Sequence, residues 1–87
     1  MVILKNVTKK DKYIECDYYP EGKDSSGHII YDFKDDKIIE KKLSPRYDEI
    51  EIYFNYALKR LQRIIKSDDF KNGEFKEEYA ALWYWST

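Results

Sequence analysis

Tyr13-Ile14-Glu15-Cys16-Asp17-Tyr18-Tyr19 is the stretch that decides the fold. Its side chains alternate, so that Ile14, Cys16 and Tyr18 share one face and Tyr13, Glu15, Asp17 and Tyr19 the other. A period of two in β-branched and aromatic residues marks a strand with one buried face. Cys16 falls on the inward side, where a free thiol behaves as a small hydrophobe. N-terminal to it, residues 2–7 read as a short strand, and Lys9-Lys10-Asp11-Lys12 as the polar turn of a first hairpin.

On the C-terminal side, residues 20–27 form the strongest loop. They hold one of the two prolines, two of the three glycines and no large apolar residue. Residues 28–43 read as a second hairpin turning around Lys34-Asp35-Asp36-Lys37. A two- or four-residue loop pairs Phe33 with Ile38 and Tyr31 with Glu40, which mixes apolar and charged side chains on one face. A three-residue loop, Lys34-Asp35-Asp36, gathers Ile29, Tyr31, Phe33, Ile39 and Leu43, with Lys41 the one misfit. A slip of one residue flips every side chain, so the odd loop is expected, with Asp36 in the left-handed conformation that Asp tolerates.

Ser44-Pro45 reads as the start of a helix, with Ser as the cap and Pro in the first turn. Tyr47, Ile50, Phe54, Ala57, Leu61 and Ile64 then recur at helical steps, with Tyr53, Leu58 and Ile65 widening the stripe. The spacing predicts an amphipathic helix of about 20 residues. Asp48, Glu49 and Glu51 near its start and Lys59, Arg60, Arg63 and Lys66 near its end complement the helix dipole. It should stop near Ser67-Asp68-Asp69, and Asn72-Gly73 signals a turn. In residues 75–85 the helix formers Glu77, Glu78, Ala80, Ala81 and Leu82 compete with Trp83-Tyr84-Trp85. The reading adopted is a terminal strand over residues 80–85.

The fold class expected is therefore α+β: one domain over residues 1–87, an antiparallel sheet of two N-terminal hairpins and a C-terminal strand, packed against one long amphipathic helix. The inward set is Ile14, Cys16, Tyr18, Ile29, Tyr31, Phe33, Ile39, Ile50, Phe54, Ala57, Leu61 and Ile64.

Composition limits function. With 16 basic and 17 acidic residues the net charge is −1, so no global field draws in nucleic acid. A single cysteine allows no internal disulfide. No apolar run approaches a membrane span, and Met1-Val-Ile-Leu-Lys5 is too soon charged for a signal peptide, so a cytoplasmic protein without membrane contact is expected.

Chemistry-bearing constellations are few. Cys16 and His28 flank the same loop and are the one thiol–imidazole pair available; the plainer reading is a structural cysteine and an exposed histidine. One His and one Cys make no structural zinc site, and Asp24, Asp35-Asp36 and Asp68-Asp69 read as turn residues rather than calcium ligands. No phosphate loop or nucleophile elbow is present. No catalytic, cofactor-binding or metal-binding residue is assigned, and an enzyme is not expected.

What remains is aromatic. Fifteen of the 87 residues are Phe, Tyr or Trp, nine of them tyrosines. Tyr18, Tyr31, Phe33, Tyr47 and Phe54 fall on inward faces. Tyr13, Tyr19, Tyr53, Tyr56, Trp83, Tyr84 and Trp85 do not, and they form the candidate partner surface. A non-enzymatic protein-interaction module, with a protein partner or a second copy as its ligand, is the function expected. The alternative is nucleic-acid binding, with Lys59, Arg60, Arg63 and Lys66 on phosphates and exposed tyrosines stacking on bases.

Lysine-rich, isoleucine-rich composition points to an AT-rich genome. Tyr19-Pro20-Glu21-Gly22, Gly27-His28-Ile29, Asp32, Tyr56-Ala57-Leu58 and a terminal Trp-Tyr resemble small uncharacterised proteins of low-GC Gram-positive bacteria and their phages or mobile elements. That resemblance implies no activity and assigns no residue a role.

Overall fold

The computed structural model describes residues 1–47 and 51–81. Four strands run as an antiparallel meander: β1 (Val2–Lys10), β2 (Tyr13–Pro20), β3 (Gly27–Asp32) and β4 (Lys37–Lys42). Helix α1 (Ile52–Ile65) and the short α2 (Asp68–Asn72) follow, and β5 (Glu78–Ala81) adds antiparallel to the free side of β1. The sheet order is β4-β3-β2-β1-β5. Helix α1 packs on β1, β2 and β5, which covers one face of the sheet.

The α+β class and the antiparallel sheet hold. The core holds Ile14, Cys16 and Tyr18 from β2, Ile29 and Tyr31 from β3, and Phe54, Ala57, Leu61 and Ile64 from α1. Val2, Leu4 and Val7 of β1 and Tyr79 and Ala81 of β5 complete it. The C-terminal strand begins earlier than expected, at Glu78, while the expected residues 82–85 lie outside those described, as do Asp48, Glu49 and Ile50 of the helix reading.

Three local expectations are corrected. First, β1 does not end at Val7 but runs to Lys10, leaving only Asp11 and Lys12 for the turn. The pairing shifts between Lys5 and Thr8, where Asn6 takes a left-handed φ of 57°. This bulge resets the alternation, so Leu4 and Val7, three residues apart, both point inward.

Second, the second hairpin has a four-residue loop, residues 33–36, because Asp32 pairs with Lys37 and Tyr31 with Ile38. A bulge then shifts the register, and Ile30 pairs with Glu40 and Ile29 with Lys41, the pairing the odd loop predicts. Asp36 is left-handed, φ 56°, as expected. The tip is held by Asp32, whose Oδ1 accepts the backbone N–H of Asp35 at 2.9 Å and of Lys34 at 3.0 Å. Ile39, expected inside, is 46% exposed. It sits at the bulge on an edge strand beyond the cover of α1.

Third, α1 is 14 residues, not about 20. Ser44 does not cap it. Its backbone N–H donates to Tyr18 Oη at 3.0 Å and its Oγ to the Ser25 carbonyl at 2.8 Å, so it closes the β2–β3 loop against β4. Pro45, Arg46 and Tyr47 form a turn. The cap of α1 is Glu51, left-handed and without a side-chain capping hydrogen bond. α1 ends at Ile65 with Lys66 as its C-cap, close to the expected stop near Ser67, and Ser67 caps the unforeseen α2, which left-handed Gly73 terminates.

Candidate functional site

Edge position follows from the sheet order. β4 is the last strand, and among the described residues nothing pairs with its outer side. All six of its residues, Lys37-Ile38-Ile39-Glu40-Lys41-Lys42, are exposed. Among the described residues the large hydrophobics that stay exposed are Ile38, Ile39 and Ile52, and two of these are neighbours here. A row of outward backbone donors and acceptors beside two isoleucines is a surface that can take on another strand. The sequence pattern puts Ile39 in the core and gives Ile38 no role. The signal that marks them is the lysine density around them, the usual dress of an edge strand.

Ile38 lies opposite Tyr31 and so on the helix side of the sheet. There a groove of about 370 Å³ opens between the end of β3 and the last turns of α1, lined by Tyr31, Phe33, Asp36, Gln62, Ile65 and Lys66. Lys41, the misfit of the sequence pattern, is on this side too. It is accommodated because its ammonium pairs with Glu51 and sits 5.2 Å above the Phe54 ring.

The face of the sheet that α1 leaves uncovered carries a second cluster. Glu15 and Asp17 alternate onto it from β2, and His28 of β3 pairs with Asp17. His28 Nδ1 lies 2.6 Å from Asp17 Oδ1 and Nε2 3.0 Å from Glu15 Oε2. Asn6, turned out by the β1 bulge, donates to Asp17 Oδ2 at 2.8 Å. Partial burial lowers the imidazole pKa, but the two carboxylates outweigh it and hold it above the ordinary 6.5. Both ring nitrogens are thereby engaged.

Cys16 is on the other side of β2, fully buried. Burial first, then the charges of Asp17 and Glu15, push its thiol far up from the usual range. The thiol–imidazole pairing considered from sequence is thus divided by the sheet itself. Among the described residues no group of His, Cys, Asp and Glu is arranged to hold a metal ion. No helix of the described residues is long and apolar enough to cross a membrane.

The expected partner residues do not converge on one surface. Tyr13 and Tyr19 lie half-buried on the uncovered face, with Lys12 5.7 Å above the first ring and Lys5 5.0 Å above the second. Tyr53 and Tyr56 are on α1, half-buried against the core. The Tyr53 hydroxyl donates to Glu21 at 2.9 Å. Trp83, Tyr84 and Trp85 lie outside the described residues. Of the basic set, Lys59 and Arg63 are exposed on α1 and Lys66 is exposed at its C-cap. Arg60 turns inward, donating its Nε–H to the Ala80 carbonyl of β5 at 3.0 Å with its guanidinium 5.2 Å above Tyr79. Of the tyrosines proposed to stack beside the basic set, Tyr56 has Lys59 at 5.7 Å, while Tyr13 and Tyr19 are across the sheet.

No protein-family model, no curated protein and no solved structure matches this chain.

Proposed function

We propose that this protein is a small non-enzymatic protein-binding module that works through the outer edge of β4. The observation that carries this reading is the coincidence of an unpaired strand edge with two adjacent exposed isoleucines. Main-chain hydrogen bonds supply affinity in such strand addition, and alternate side chains supply selectivity. The chemistry-bearing side chains support a binding rather than a reactive role. Cys16 is sealed in the core, and His28 is clamped between two carboxylates.

The test is affinity capture from the source cell with wild-type protein and with Ile38→Asp, after circular dichroism shows that the variant folds. A partner held by wild type and lost by Ile38→Asp is the expected result. A partner retained equally by both overturns the reading.

A second reading, nucleic-acid binding, rests on the exposed cations Lys59 and Arg63 of α1 and Lys66 at its C-cap. Phosphate contacts must weaken as salt rises, so absence of retention on DNA or RNA at low salt ends it.

A further inference from the structure

We infer that the occupant of the β4 edge is a second copy of this chain, joined antiparallel, β4 to β4, with Ile38 of one copy opposite Ile39 of the other. The inference rests on the reading of β4 as the working edge and names its partner.

Lysines on an edge strand turn most other strands away. Lys37, Lys41 and Lys42 do this on β4, and they also define what would be accepted: a strand with acids in matching positions. The chain supplies one itself. The segment reads Asp35-Asp36-Lys37-Ile38, then Ile39-Glu40-Lys41-Lys42. Counted outward from the junction of the two isoleucines, each step on one side carries the charge opposite to its counterpart. Lys37 answers Glu40, Asp36 answers Lys41, and Asp35 answers Lys42. An antiparallel copy centred on that junction therefore sets isoleucine on isoleucine and each charge on its complement. The neighbouring registers do not. One step toward the hairpin tip opposes Asp36 to Glu40, and one step away opposes Lys37 to Lys41. Full overlap of the two strands opposes Lys37 to Lys42.

The bulge in β4 makes this register geometrically allowed. Across a two-fold axis normal to a sheet, opposed residues must project to the same face. In a regular strand Lys37 and Glu40, three apart, face opposite sides. Here Lys37 pairs with Asp32 and Glu40 with Ile30, both on the face away from α1, because Ile39 is the extra residue between them. Lys41 pairs with Ile29 on the helix side, and Asp36 lines the groove on that same side. The irregularity that breaks the inner register brings the outer faces into agreement. Lys41 already pairs with Glu51, and Asp35 lies 3.8 Å from Lys12, so the inner pairs, Lys37–Glu40 and Ile38–Ile39, carry the contact and the outer ones add attraction.

The experiment is sedimentation equilibrium of the full chain over a wide concentration range. Wild type is expected to dimerise. Glu40→Lys places like charges at both symmetric positions and should weaken the dimer about tenfold. Lys37→Glu should do the same, and the double variant Lys37→Glu/Glu40→Lys should restore it, as should an equimolar mixture of the two single variants. Lys37 neighbours the buried Asp32, so if Lys37→Glu does not fold, Lys37→Gln in the Glu40→Lys background must recover part of the affinity instead. A wild-type chain that stays monomeric throughout overturns the inference, while the edge reading still stands or falls on the capture experiment. Self-association untouched by Glu40→Lys and by Ile38→Asp puts the contact elsewhere and also overturns the inference, again leaving the edge reading to the capture experiment.

Discussion

The Tyr18 hydroxyl accepts the Ser44 backbone N–H at 3.0 Å, between the middle of the sheet and the segment leaving β4. The same ring meets Phe54 of α1 edge-on, with centroids 5.9 Å apart. One buried side chain thus ties β2, the exit from β4 and the helix together. Tyr18→Phe keeps the ring contact but leaves a buried N–H without its partner. The expected loss is about 1–3 kcal/mol, read from urea unfolding as a lower midpoint at unchanged slope. An unchanged midpoint would show that the bond contributes nothing net.

Gly27 stands across from Tyr18 in the β2–β3 ladder and is buried. A Cβ there would run into the Tyr18 ring and the Lys42 carbonyl oxygen. Gly27→Ala should therefore cost about 1–3 kcal/mol through forced displacement of a packed ring and a strand. Thermal unfolding measures this, and a variant as stable as wild type would contradict the packing described.

His28 is the only histidine, so its ring protons give one clean titration by NMR. Burial acts to lower its pKa, and the bonds to Asp17 and Glu15 raise it further than burial lowers it, so the midpoint should lie above 6.5. Asp17→Asn should bring it down. A raised folded-state pKa means that the contribution of His28 to stability is complete below the unfolded value near 6.5 and disappears as pH rises through the folded value. The stability difference between wild type and His28→Gln should accordingly be largest in mild acid and shrink at alkaline pH. A difference that grows with pH would reverse the assignment.

Cys16 should resist thiol reagents in the native state, since burial keeps it protonated and out of reach. Labelling at mildly alkaline pH is expected to follow the opening rate of the fold and to be immediate in denaturant. Rapid native labelling would place the thiol at the surface.

Alternation made β2 legible, and with it the separation of Cys16 from Glu15 and Asp17. Helical spacing from Phe54 to Ile64 identified the apolar stripe of α1. Each signal is local, because a side chain's face follows from its neighbours' geometry. Ser44 misled because a cap and a buried loop clasp use the same small hydroxyl, and the choice depends on Tyr18, 26 residues away. Ile39 misled because a bulge leaves no mark in a two-residue period. The His28 cluster was readable in half: Glu15 and Asp17 share a face by pattern, but their meeting with His28 required the β2–β3 register.

What the amino-acid order determined by itself is the amphipathic character of β2, β3 and α1 and the sides they bury, since periodicity is a property of each segment alone. Only the tertiary structure decided which strand lies at the edge and which pairings slip by one residue. Those outcomes depend on competition for neighbours among the five strands of the described residues and on where a 14-residue helix stops covering the sheet. The candidate surface on β4 comes from that competition: two ordinary isoleucines became notable because they stay exposed on a strand whose outer side pairs with nothing among the described residues.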